Sequence, residues 1–296
     1  MWSLLLPMSK IVACLYVVIT VLCCKVQASS LEDIIEAKEI VIAVYRDYAP
    51  FSAQVDGVAV GIDIDIARHI AKTLQVELRL KWITAGETTG DDLRNSIWKG
   101  HFLDKTKADV MMRVPYDKVY SQKRDDVGLL VHELVHMFAP YHTETWKIVF
   151  NKQKIEEVST MAVFQYHPVG VEVDSIPQFY LISAFRGSMS KNTHQFPTIV
   201  AAVGGMQAGE VDAVMGLRSQ ITALHHTLNQ VQYQLAENAF PLIGKQKWDI
   251  GLAVHNDYRA LAYELGDIIT AMIKDQTMAD IFKTHHSTYE QPAYYM

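Results

Sequence analysis

His132-Glu133-Leu134-Val135-His136 spells the string H-E-x-x-H. On a helix, histidines at i and i+4 share a face and can hold one zinc ion, with the glutamate as general base. Glu156 or Glu157 would then be the third ligand, and the chemistry would be hydrolysis. Two arginines offer something different. Arg113 closes the run 108–112, and Arg218 follows the turn and run 209–215. An arginine at the end of a buried strand presents a planar fork suited to a carboxylate or phosphate. Together they would form an anion clamp; the plainer alternative is that each pairs with a nearby acid, such as Asp117 for Arg113. Tyr48, Trp82, Tyr116 and Tyr141 could line the same place, because aromatic rings give contact area with few rotamers to freeze. No nucleophile and no Gly-rich phosphate loop competes with these groups.

The elements around these residues alternate. Residues 31–38 read as a short helix and 39–44 as a buried strand rich in β-branched residues. A loop over 45–51 and a turn at Asp56-Gly57 follow. A helix is expected from Asp65, with Asp65 as its cap. Residues 76–82 read as a strand, 91–99 as a helix and 108–112 as a short buried strand. Strand, helix, strand, helix, strand describes a parallel α/β lobe whose ligands sit at the carboxyl ends of the strands. The pattern then restarts, with a strand at 161–164, helices at 175–185 and 196–208, a strand at 211–215 and a helix at 219–228. A strand at 249–254 and helices at 261–274 and 277–285 complete it. The adjacent histidines 225–226 and 285–286 fall on these helices and are expected in solvent. Residues 289–296 form an aromatic tail.

Lys10, the apolar run 11–24 and Val26-Gln27-Ala28 have the pattern of a secretory signal peptide over residues 1–28. All three cysteines, Cys14, Cys23 and Cys24, lie inside it. The mature chain therefore holds no disulfide, thiolate metal site or thiol nucleophile. Removing Lys10 and Lys25 takes the formal charge from −6 to −8, which disfavours nucleic acid as a partner.

Four passages carry a resemblance. Residues 40–43 lead to Tyr48-Ala49-Pro50-Phe51; Gly61-Ile62-Asp63-Ile64-Asp65-Ile66-Ala67 follows; Gly209-Glu210-Val211-Asp212-Ala213-Val214 and Asp249-Ile250-Gly251-Leu252-Ala253-Val254 come later. In this order they resemble the type 2 periplasmic solute-binding proteins of family 3, which include amino-acid receptors of ABC transporters. The resemblance implies an α/β fold of two lobes, residues 31–138 plus 245–296 and residues 142–242. Its two sheets of mostly parallel strands would be joined by crossover strands near 138–141 and 242–245. It implies a soluble periplasmic protein, a monomer and not an enzyme, with no cofactor and no metal. It also places Tyr48 where such receptors touch their ligand, and residues 127–138 on a strand, where His132 and His136 would stand ~13 Å apart and share no metal.

The departures bear on function. Receptors for amino acids carry an arginine shortly after the Asp109 strand in a segment that here reads Arg113-Val114-Pro115-Tyr116-Asp117, and an acid where Leu217 stands. An α-amino acid ligand is thus disfavoured, and a small polar or anionic solute is expected, held by Tyr48, Trp82, Arg113, Tyr116, Tyr141 and Arg218. The protein partner would be the membrane permease. The stretch 109–115 also resembles accessory proteins of PQQ-dependent methanol dehydrogenases (the MxaJ/XoxJ type), which implies as the alternative a degenerate cleft and a periplasmic dehydrogenase or cytochrome as partner.

Overall fold

The computed structural model describes residues 30–103 and 105–296; the expected signal peptide lies outside them. The chain opens with α1 (Leu31–Ala37), capped by Ser30, and enters β1 (Glu39–Tyr45). β1 is apolar on both faces: Ile40, Ile42 and Val44 join one core, Val41 and Ala43 another. A strand so patterned must be covered on both sides. The turn at Asp56-Gly57 closes a small hairpin, β2 (Ala53–Val55) and β3 (Val58–Val60).

Helix α2 (Ile62–Leu74) starts three residues before the expected cap. Gly61, not Asp65, stands at its N-cap, and the first amides are satisfied by backbone: Ile62 N–H donates to Pro50 O and Asp63 N–H to Phe51 O, both at 2.9 Å. A Cβ on Gly61 would lie 2.2 Å from Phe51 O, so only glycine lets the loop approach this closely. The loop carrying Tyr48 and Phe51 is thereby tied to the start of a helix.

Next come β4 (Glu77–Ile83), α3 (Thr89–Leu93), which runs into a π-helical turn over Arg94–Trp98, β5 (Val110–Tyr116) and α4 (Lys118–Ser121). The 17-residue β6 (Val135–Asn151) follows. Residues 161–164, expected as a strand, form a 3₁₀ turn, and the strand is instead β7 (Val169–Glu172). After α5 (Ile176–Ser183) come β8 (Thr193–Phe196), α6 (Ile199–Ala208), β9 (Ala213–Leu217) and α7 (Arg218–His226). The chain ends with β10 (Tyr233–Leu235), β11 (Lys247–His255), α8 (Arg259–Lys274) and α9 (Thr277–Thr284).

The sheet order is β4-β1-β5-β11-β6-β9-β7-β8, with β10 on the other side of β6. β6 is the shared member. Its residues 135–145 pair with β11, and from Trp146 to Phe150 it pairs with β9. The cores divide at the same place. Two clusters draw on residues 34–141 and 250–282, and two others on 146–243. Trp248, its ring centroid 4.7 Å from that of Trp146 and tilted by 46°, packs against one core of each lobe. Among the described residues, no helix is long and apolar enough to cross a membrane.

Both neighbours of β11 are bulged opposite Gly251. On β5, Met111 pairs with Ala253 and Val114 with Gly251, one residue too many. On β6, Phe138 pairs with Leu252 and His142 with Ile250, two too many. The extra residues include Arg113 and Ala139, both with left-handed backbones (φ 59° and 45°). A Cβ on Gly251 would stand 2.6 Å from Phe138 O. We expect Gly251→Ala to cost on the order of 2–4 kcal/mol of stability, as substitutions against rigid backbone do. Urea unfolding of the two proteins checks this, and a cost within about 0.5 kcal/mol would contradict it.

Candidate functional site

A cavity of about 550 Å³ lies between the lobes, within the range of small-molecule sites. The first lobe lines it with the loops 45–48 and 84–89 and with Arg113; the second supplies Glu172, Thr198 and Leu217; Trp248 and Ile250 of β11 complete it. The loops 45–48 and 84–89 follow β1 and β4, Glu172 and Leu217 end β7 and β9, and Thr198 caps α6, as the α/β connectivity requires, whereas Arg113, Trp248 and Ile250 lie within β5 and β11.

Arg113 is the central group. It is only 7% exposed, and its bulged, left-handed position turns it out of the ordinary strand alternation. Its guanidinium lies 3.4 Å from the centroid of Phe51 and 5.5 Å from that of Tyr48. Such cation–π contact holds the group without using its N–H donors, and Nη1 has no hydrogen-bond partner. Burial opposes the charge, but Asp63, Tyr141, Tyr48 and Glu144 outweigh it and hold the guanidinium protonated. Burial also pushes the Tyr48 phenol up to about 12, against the pull of Arg113.

Behind Arg113 is a buried polar layer. Tyr141 OH donates to Asp63 Oδ1 at 3.0 Å, and Asp63 Oδ2 has no hydrogen-bond partner. Burial raises Asp63 to about 6, despite Arg113, Tyr141 and His285. Glu144 is fully buried beside His142, with Nε2 3.6 Å from Oε2, and accepts a hydrogen bond from Ser219 Oγ. Burial pushes Glu144 up, but His142, Ser219 and Arg113 overcome it and hold the acid below its usual range.

Of the six residues expected at the site, Tyr48 and Arg113 line the cavity. Tyr141 lies beneath it, at 0% exposure. Trp82 lies on β4, half-buried, and lines a smaller cavity with Asn95 and His101 that abuts the first through Thr84 and Asp92. Tyr116 faces the aromatic tail, 6.2 Å from Tyr294 and edge-on. Arg218 is turned away: it pairs with Glu290 and donates to Thr143 O at 2.7 Å. Within the described residues the anion clamp therefore has one arm, and Arg218 meets the local acid of the plainer alternative. Asp117 pairs with Lys245 rather than Arg113.

The H-E-x-x-H string lies on no helix. His132 sits in the turns before β6, its ring 4.6 Å from that of Tyr120, while His136 stacks on Phe138 and meets Arg259 at 3.0 Å. Of the paired histidines, His226 and His286 are exposed as expected, while His225 and His285 are half-buried. His225 contacts Tyr233 O, His285 contacts Asp65, and His226 and His286 stack with centroids 3.6 Å apart. Sequence reasoning passed over Glu172, Thr198 and Trp248. Val169-Gly170-Val171 is too short a run for its alternation to have marked a strand ending at Glu172.

Residues 40–99 match the model of the bacterial extracellular solute-binding proteins, family 3. The resemblance to family 3 holds. An amino-acid ABC transporter substrate-binding protein from Streptococcus pneumoniae, solved with L-arginine, superposes with a TM-score of 0.64 at 19% identity, over 88% of this chain and 100% of that one. An ancestral cationic amino-acid solute-binding protein, AncCDT-1, gives 0.65 at 16% identity over the same shares. Another structure of AncCDT-1, described as a precursor of cyclohexadienyl dehydratase, gives 0.59 at 18% identity, with 88% and 100% covered. No curated protein matches the chain. These likenesses establish the two-lobed fold.

Asp63 gives the site a signature in pH. It binds its proton more tightly folded than unfolded, rising from 3.8 to about 6. Its contribution to stability is full below about pH 4 and fades as the pH rises to about 6, a loss on the order of 3 kcal/mol. Asp63→Asn should lack that decline, so the stability difference between the two proteins should change across this window. Denaturant unfolding at several pH values tests it; parallel pH profiles would refute the assignment.

Proposed function

We propose that this chain is an exported, soluble receptor that closes its two lobes over a small polar or anionic solute and presents it to an ABC-type permease. The observation that carries the proposal is Arg113: a buried cation with an unpartnered N–H edge, lining a cavity that both lobes wall. Burying a donor without a partner costs free energy, and a solute that accepts from it removes that cost. Closure of two lobes about a hinge is the motion by which such folds capture ligands. β6 and the chain near Lys245, whose carbonyl accepts from Trp146 Nε1 at 2.8 Å, run between the lobes and are where we place the bending. Binding rather than catalysis is the proposed role, consistent with the receptors among the structural relatives. An accessory protein of a dehydrogenase would need no ligand space, and the open volume beside Arg113 favours the receptor.

Native mass spectrometry of gently purified mature protein, beside a denatured aliquot, tests this directly. A small molecule that copurifies and is lost on denaturation is expected. An empty protein that binds no small anion would overturn the proposal. Arg113→Gly sharpens the test, because glycine adopts the left-handed backbone at no cost. We expect that variant to lose roughly 3–5 kcal/mol of stability, because both cation–π contacts and the charge facing the buried Asp63 and Glu144 go while backbone strain is shed, and circular dichroism checks that it stays folded. It should lose the copurified solute altogether.

A further inference from the structure

A second cavity, of about 270 Å³, shares no lining residue with the one beside Arg113, and no residue of the second lobe lines it. The start of β6, one face of α8, the aromatic tail and Tyr116 at the end of β5 enclose it. On α8 the lining residues Tyr263, Gly266, Asp267 and Thr270 fall three or four apart, the spacing of one helix face. A Cβ on Gly266 would meet nothing within 4 Å, so there is open room beside Asp267. Four tyrosines wall the space. Tyr294 stands edge-on to two of them, 6.2 Å from Tyr116 at 74° and 4.9 Å from Tyr295 at 85°. Rings set at right angles make a corner rather than a closed stack, and Tyr294 and Tyr263 are 67% and 70% exposed. The faces of such rings carry negative π density.

The charge on these walls has one sign. No lysine or arginine lines the cavity. Asp267 is exposed, and among the described residues no hydrogen bond or ion pair reaches its carboxylate. Burial, then Tyr294 and Asp249, push the Tyr116 phenol up, and burial carries Tyr295 to about 12, so both rings stay neutral. Burial and Arg259 lower the pKa of His136, and Arg259 itself is bonded to His136 and Asn256. An anion would meet repulsion here. A bare ammonium would give up strong hydration for one carboxylate, whereas a methylated one is weakly hydrated and gains from every ring face. We infer that this tyrosine-walled cavity binds a small organic cation of the methylated-ammonium type, with Tyr263 and Tyr294 against its methyl groups and Asp267 opposing its charge. The aromatic tail thereby gains a role in ligand binding, apart from the cleft.

Ligand-observed NMR titration of the mature chain with choline and with 3,3-dimethylbutan-1-ol, its uncharged isostere, tests the inference. The two probes have the same shape, so only the charge distinguishes them. Choline should bind about tenfold tighter or better, as cation–π attraction from several rings allows. Tyr294→Ala and Asp267→Asn change exposed side chains, and circular dichroism should show both variants folded. Each should weaken choline binding about threefold or more, and the two together should erase the preference over the alcohol. Absence of choline binding would overturn the inference. So would equal affinity for the two probes, or choline binding that neither substitution weakens, which would place the cation elsewhere on the protein.

Discussion

At Gly251 the backbone of β6 comes closer to β11 than any side chain allows. β11 runs between β5 and β6, and both neighbours carry extra residues opposite this one position. The extra length must go somewhere, and it goes into left-handed residues, Arg113 on one side and Ala139 on the other. Bulges of this kind re-aim side chains and commonly sit beside functional sites. Here the result is that Arg113, on a strand whose other residues alternate into two cores, faces a cavity instead. Its backbone carries the strain of a non-glycine residue at positive φ. That strain is sustained by the packing of Phe51 and Tyr48 on its guanidinium. The loop bearing those rings is fixed in turn by the backbone of Gly61 and the first amides of α2.

The lobes are coupled by more than β6. The C-terminal segment lies along α7 of the second lobe, where Ser287 Oγ donates to Ser219 O at 3.0 Å and Thr288 N–H to Thr222 Oγ1 at 3.1 Å. Two residues on, Glu290 is gripped by Arg218 and by Lys247, and its carbonyl accepts from Thr143 N–H at 2.9 Å. The tail therefore joins the first turn of α7 to both strands of the crossing. Rotation of one lobe against the other must move α7 relative to this tail or carry it along. Arg218 belongs to that linkage, and its distance from the cavity follows from it.

Much of the first lobe was legible from the residues, because β1 and α2 carry strong periodic signals and the Gly61–Ala67 passage is long. Arg113 and Tyr48 were legible for the same reason, each lying at the carboxyl end of a β-branched or apolar run. The second lobe was less so. β7 and β8 have four residues each, too short for periodicity to register, and the 3₁₀ turn at Met161–Gln165 imitated a strand through its apolar composition. The pairing of Arg218 with Glu290 spans 72 residues and depends on where the tail lies. Trp82 and Tyr116 line other cavities for a related reason: a strand's sequence does not say which side of its end a ring will face. The bulges were also invisible, since nothing in Met111-Met112-Arg113-Val114 distinguishes a bulged strand from a regular one.

The layer behind Arg113 bears on what its free edge can hold. Asp63 and Glu144 are buried beside it and offset its charge from within. At interior effective dielectric constants near 20, a unit charge 4 Å away contributes about 4 kcal/mol, and each added carboxylate shortens the reach of the guanidinium's field. Arg113 is therefore a directional donor more than a broad positive patch. It rewards an acceptor placed on Nη1 and does little for negative charge elsewhere in the cavity.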